Sequence, residues 1–152
     1  MTTQKQKNLD IAISDNITEA DILKMSDDDY MNDIQLAFFK KMLLDIEANI
    51  LNNAKNFTQN FQDQDVVYVA DVSDQASNEE ANYLNLKARN REAKLLRKIR
   101  QALNLIESGE YGYCQDTGEK IGIKRLLTRP TAILTTEAQE RREKLQRHYA
   151  ED

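Results

Sequence analysis

The sequence predicts an all-α protein: a long antiparallel coiled-coil hairpin followed by a small globular knuckle and a terminal helix. Three observations predict it. All four glycines (Gly109, Gly112, Gly118, Gly122) and the single proline, Pro130, fall between positions 109 and 130, so the first 108 residues lack both strong helix breakers. Two stretches of that region repeat apolar residues mostly at spacings of three and four, the period of a helix face that packs on another helix. The composition is 40% hydrophobic and 31% charged, with a mean hydropathy of −0.72 and no Trp. That is polar for a compact globule of 152 residues and suits an elongated helical protein with a thin core.

The first stripe reads Phe39, Leu43, Ile46, Ile50, Ala54, Phe57 and Phe61, close to a heptad seam, with Asn32 and Gln35 resembling a capping box at its start. The second helix is expected over 77–108, opened by a Ser77/Glu80 capping box, with Leu84, Ala88, Leu95, Ile99, Ala102 and Ile106 as its stripe. Each helix would run roughly 48 Å at about 1.5 Å per residue. Neither buries its stripe alone, and the short connector 63–76 makes the two fold back on each other. That connector holds Val66, Val67, Tyr68 and Val69 among acids, more apolar than a solvated turn, and forms the hairpin tip.

Residues 1–30 show no clean period and read as an N-terminal tail, flexible or loosely docked; 31–108 form the hairpin; 109–152 form the globular region and C-terminal helix. In the last part, 110–118 is a turn-rich knuckle, 121–126 a short apolar segment, and 136–148 a helix opened by Thr136 and Gln139 as a capping box. Packing among Tyr111, Tyr113, Ile121, Ile123, Leu126, Leu134 and Leu145 is expected to hold the knuckle.

Charge is unevenly spread: the net is −5, with −8 over residues 1–76 and +3 over 77–152. An acidic chain with one basic stretch points to a protein partner rather than to sequence-specific DNA binding. The single cysteine excludes an intramolecular disulfide framework and fits a reducing compartment. No apolar run approaches the roughly 18 residues of a membrane span, and the first 28 residues are polar and acid-rich, unlike a signal peptide. These features predict a soluble, cytoplasmic protein. No phosphate-binding Gly-rich loop, nucleophile elbow or His partner for Cys114 is present, so no enzymatic chemistry is expected. The acids Glu107, Glu110, Asp116 and Glu119 read as solvated charge.

Several motifs share one resemblance. Tyr111-Gly112-Tyr113-Cys114, then Gly118 with Ile121-Gly122-Ile123 and Arg125-Leu126, then Arg129-Pro130-Thr131-Ala132 resemble the zinc-finger signature of the DksA/TraR family. Tyr30-Met31-Asn32 with Gln35-Leu36-Ala37 is similar to the start of that family's coiled coil, and Asp71, Asp74 and Ala76 match its acidic tip at the same distance from the knuckle. Together these span about 30–146.

The resemblance implies a monomeric transcription regulator that inserts its hairpin into the secondary channel of RNA polymerase and alters promoter open complexes, together with the alarmone ppGpp. Asp71 and Asp74, by themselves ordinary turn formers ahead of a helix, would then be carboxylates near the polymerase centre, with Ala76 a close-fitting small side chain. Val72 departs from the proline often found in the family. The basic run from Lys87 to Arg100 carries seven positive charges against one acid, Glu92. Lys87, Arg91, Leu95 and Lys98 share one face of it. Such a run is commonly a solvated face, but the resemblance places Leu95, Lys98 and Arg129 at the ppGpp interface, and Gln139 where the family can carry a lysine.

The four zinc-ligand positions of the family read Cys114, Thr117, Thr135 and Ala138. One thiolate with two neutral hydroxyls and a methyl is not a tetrahedral zinc site, so no metal is expected. Two other classes fit parts of the pattern. A Gre-like transcript-cleavage stimulator would use tip carboxylates but needs a β-rich C-terminal domain, for which no pattern exists. A structural coiled-coil adaptor would need neither tip nor polymerase.

Overall fold

The computed structural model describes residues 16–64 and 72–151, with side chains described over 16–58 and 77–150. Helix α1 spans Glu19–Leu23, a 3-10 turn follows at Asp27–Asp29, and the long helices are α2 (Asp33–Gln64) and α3 (Val72–Ser108). Two further helices close the chain, α4 (Ile123–Thr128) and α5 (Thr136–Glu151). The all-α expectation holds: among the described residues the β pairing is a single isolated antiparallel bridge, Tyr113 to Lys120. No described helix is long and apolar enough to cross a membrane.

α2 starts as its sequence implies. The Asn32 side chain accepts from the Gln35 N–H at 2.9 Å, but the Gln35 side chain reaches one residue further back and accepts from the Met31 N–H at 2.8 Å. The second long helix corrects the expectation: it begins at Val72, so Ser77 lies inside it and caps nothing. No Gly or Pro interrupts 72–76, and Asp74 in the first turn suits the positive end of the helix dipole. The tip segment 65–71, which includes Asp71 and the cluster Val66, Val67, Tyr68 and Val69, lies outside the described residues.

Packing divides the chain into two units: Leu44–Arg100, and the chain before Leu44 together with that after Arg100. The first is the two-helix shaft. Glu47 on α2 meets Arg100 on α3 at 3.8 Å, and further along α2 the Phe57 ring lies 4.3 Å from the Arg89 guanidinium, further back along α3. Rising numbers on one helix against falling numbers on the other make the pair antiparallel. Ile50 and Ile99 are buried in the seam, but Leu84 and Leu95 are not: they are 58% and 37% exposed, and Leu96 takes the inward-leaning position beside Leu95. The second stripe was misread there because adjacent leucines at 95 and 96 let either continue the period.

The other unit holds the larger core. The base of the hairpin supplies Phe39, Leu43 and Ala102; the knuckle and its flanks supply Tyr111, Cys114, Ile121, Leu126, Leu134 and Ala138. Tyr111 is the keystone, its ring 5.7 Å from Phe39 and its hydroxyl donating to the Pro130 carbonyl at 2.6 Å. Of the residues expected to hold the knuckle, Tyr113 stands at the surface and Leu145 is 56% exposed. Their places are taken by Ile22, Phe39 and Ala138, each all but fully buried. The described part of the expected tail is therefore ordered. Thr18 and Asp21 form a reciprocal capping box for α1, Ile22 is buried, and α1 packs on α4.

Where the N-terminal segment meets the knuckle the fit is close. Gly112 has φ +90°, and a Cβ there would lie 2.7 Å from Met31 Cγ, while Met31 itself sits at φ +53°. Gly118 shares a positive φ of 74° but faces open space. Gly112→Ala should therefore cost about 1–3 kcal/mol, through both strain and overlap. Gly118→Ala should cost about 1 kcal/mol, from backbone conformation alone. Thermal or urea unfolding of the two variants checks the order; equal losses would remove the Met31 contact from the account.

Candidate functional site

The described candidate residues fall on two surfaces, one in each packed unit. On the shaft, α3 carries Lys87, Arg91, Leu95 and Lys98 at i, i+4, i+8 and i+11, all exposed. Lys87 lies over the Tyr83 ring at 5.2 Å. Arg89 and Arg100 are engaged within the shaft, by Glu92 and Glu47. Among the described residues no acidic side chain pairs with Arg91, Lys94 or Lys98. The run is thus split by geometry into charges that hold the shaft and charges presented to solvent. Asp74 and Ala76 lie in the first two turns of α3, with side chains outside the described set.

In the other unit, Arg129 is exposed at the C-terminal end of α4, its N–H closing the last turn onto the Arg125 carbonyl at 2.7 Å. Gln139 is half-buried on α5 and donates to Glu143 at 3.1 Å. Beyond its first turn α5 is exposed along its length, with Tyr149 75% accessible.

The four ligand positions converge without a metal's donors. Cys114 is buried, and Thr135 donates its hydroxyl to the Cys114 sulfur at 3.8 Å. The same Thr135 oxygen accepts from the Ala138 N–H at 3.2 Å, so Thr135, not Thr136, caps α5, and Gln139 takes no part in that cap. Ala138 is buried where a fourth ligand would project. Around them the backbone closes the turn: Gly118 N–H donates to the Cys114 carbonyl at 2.8 Å, Cys114 N–H to Glu119 at 2.8 Å, and Gln115 N–H to Ile133 at 2.9 Å. Asp116 accepts from the Arg142 Nε at 2.8 Å and from a second guanidinium nitrogen, tying the knuckle to α5. That pair lowers the Asp116 carboxyl from its ordinary value; the side chain stays exposed, so its reading as solvated charge stands, with a partner added. Sequence reasoning missed it because twenty-odd residues separate two unremarkable surface charges.

A structural zinc takes about four N, S or O donors. Here the positions offer one thiol, two hydroxyls and a methyl, and among the described residues no group of three or more His, Cys, Asp and Glu side chains could hold a metal ion. The residues do not fit zinc; what persists is the frame of a finger, closed by hydrogen bonds and packing.

An antiparallel helical hairpin with a basic shaft, joined to a knuckle with the layout of a four-ligand finger, defines a class of coiled-coil proteins with a finger-like module at the hairpin base. The chain matches the DnaK suppressor protein DksA N-terminal domain over residues 35–106 and the prokaryotic dksA/traR C4-type zinc finger over residues 109–144. It belongs to the DksA family. The RNA polymerase-binding transcription factor DksA of Caulobacter vibrioides is 41% identical over 136 residues, covering 90% of this chain and 95% of that protein. The Escherichia coli K12 factor of the same description is 38% identical over 107 residues, 70% of each chain. The solved structure of transcription factor DksA2 from Pseudomonas aeruginosa superposes with a TM-score of 0.74 at 40% identity, covering 86% of this chain and all of that one.

The replaced site has a consequence for the remaining thiol. Burial pushes Cys114 up, but the Thr117 hydroxyl and the backbone N–H groups of Thr135, Thr117 and Asp116 outweigh it and bring the thiol from 9.0 down to about 7. Because the folded value is depressed, the thiolate's contribution to stability is full above about 9, shrinks as the pH falls from there, and is lost as the pH falls through about 7. Thiolate absorbance should titrate with a midpoint near 7 and shift upward in Thr117→Val. A midpoint at the free-thiol value would refute the hydrogen-bonded assignment.

Proposed function

We propose that this chain binds RNA polymerase as a monomer and regulates transcription initiation, with the hairpin entering the secondary channel and Asp71, Asp74 and Ala76 approaching the catalytic centre. The observation that carries the reading is unbroken correspondence: hairpin and knuckle both match, and the Caulobacter relative, described as RNA polymerase-binding, is covered over 95% of its length. The charge pattern supports it. An acidic tip on a shaft with an exposed basic face suits a protein partner, and a net charge of −5 argues against recognition of DNA. The factor acts by contact and does no covalent chemistry. The described residues form no β-sheet of the kind a Gre-like cleavage stimulator needs.

Asp74→Asn keeps size and removes charge at a helix start. It should still be retained by immobilised core polymerase, while repression of a ribosomal RNA promoter falls sharply. Equal repression by variant and wild type would return Asp74 to the role of a turn residue, and absence of binding by the wild type would end the polymerase reading.

The same proposal places Leu95, Lys98 and Arg129 at the ppGpp interface, Lys98 and Arg129 on its phosphates, with Lys87 and Arg91 on the polymerase side. A charge-assisted contact is worth roughly 1.5–3 kcal/mol, about ten- to hundredfold in affinity. Alanine at Lys98 or Arg129 should abolish the added effect of ppGpp in transcription titrations and spare the ppGpp-independent effect. Arg100→Ala should do neither, since Arg100 is already engaged by Glu47 at 3.8 Å on an exposed face, a pair worth about 1 kcal/mol or less. Gln139→Lys should strengthen the response. Parallel loss of basal activity in all three charge-removal variants would make the face a general docking surface.

A further inference from the structure

The knuckle raises a physical question that the family layout does not answer. The turn of about ten residues is closed on itself by backbone hydrogen bonds, Ile121 N–H to the Gly112 carbonyl at 2.9 Å, Cys114 N–H to Glu119 and Gly118 N–H to Cys114, each worth about 1 kcal/mol net, and none of them ties it to the hairpin base. A four-ligand metal would supply that closure, and the residues here do not fit one.

The segment just before α2 supplies a different closure. The Tyr30 hydroxyl donates to the Gly112 carbonyl at 2.6 Å and accepts from the Gly122 N–H at 2.9 Å, so one oxygen spans the two sides of the knuckle turn. Its ring meets Tyr113 edge to face, centroids 5.7 Å apart at 85°. Lys120, the bridge partner of Tyr113, lies over the same ring at 5.2 Å and donates its ammonium to the Asp27 carbonyl at 3.3 Å. Met31 then packs on Gly112 from a left-handed backbone conformation. Burial raises the Tyr30 phenol, keeping it protonated and able to donate throughout the neutral range. Two residues later Asn32 caps α2, so whatever Tyr30 grips is fixed to the hairpin base.

We propose that Tyr30, with Lys120 and Met31, is a clasp that holds the knuckle closed and seated on the hairpin base in place of a metal. It is a positioning residue: it acts through the module it fixes, which carries Arg129 and Gln139. The N-terminal segment is, on this reading, part of the finger.

Amide hydrogen exchange on the full-length protein tests it. Tyr30→Phe keeps the ring and removes the oxygen, so the fold should survive. The Gly122 amide should exchange faster simply because its acceptor is gone. The deciding amides are those that Tyr30 does not touch, Cys114 to Glu119 and Gln115 to Ile133. Loss of one bond that bridges both sides should speed them by about fivefold, while amides in 77–100 stay unchanged. Unchanged exchange at Cys114 and Gln115 would reduce Tyr30 to a local cap. Equal acceleration along the whole chain would make it an ordinary core residue. A chelator applied to the wild type should leave the knuckle amides as slow as before; acceleration matching Tyr30→Phe would show that a metal closes the knuckle, and the clasp would be discarded.

Discussion

The contact between Phe39 and Tyr111 is the one on which the rest depends. A two-helix shaft is narrow, and its seam offers each helix only one partner, so few of its side chains, such as Ile50 and Ile99, are enclosed. Among the described residues the larger interior lies at the base, where Phe39 on α2 meets the first tyrosine of the knuckle and that tyrosine's hydroxyl finds Pro130. With the phenol satisfied, the ring can be buried without an orphaned polar group. Leu43, Ala102, Leu126 and Leu134 then gather into the same buried core. The packing boundary accordingly falls at Leu43 and Gln101, inside the long helices, instead of at the glycines that end the second one.

The architecture was legible because it rests on local, strongly periodic signals: missing helix breakers, a near-heptad stripe on α2, and a glycine-proline cluster confined to the knuckle. What escaped was set by long-range partners. Ile22 and Tyr30 sit in a polar stretch without a period, and only contact with residues some 80 to 100 positions away turns that stretch into part of the core. Thr135 and Thr136 are chemically equivalent neighbours, and the buried sulfur of Cys114 decides which caps α5. That Lys87, Arg91, Leu95 and Lys98 share one face of α3 follows from spacing alone, but the same spacing also put Leu95 in the buried stripe, and only the partner helix decides between the two. The division of that basic run into structural and free charges needed the opposite helix.

The knuckle shows how a finger frame can survive the loss of its donors. Metal coordination joins distant chain segments at a point, whereas here the same segments are joined by a distributed set: a threonine that serves both a thiol and a helix end, an arginine fork on Asp116, Arg125 donating to the Leu134 carbonyl at 3.0 Å, and the Tyr30 hydroxyl. No member is strong, since a neutral hydrogen bond contributes only about 1 kcal/mol net. Distribution makes closure depend on the whole neighbourhood, including residues before the hairpin.

The pairing of the two shaft helices restricts how such a protein can vary in length. Lys40 with Glu107 and Glu47 with Arg100 lie one heptad apart on both helices. A residue inserted in one arm would turn everything beyond it by about 100°, carrying the basic face into the seam and Ile50 or Ile99 out of it. Reach can therefore change only in matched steps on both arms, each of about 10 Å. The shaft behaves as a ruler with coarse graduations, one that cannot be trimmed by a few ångströms.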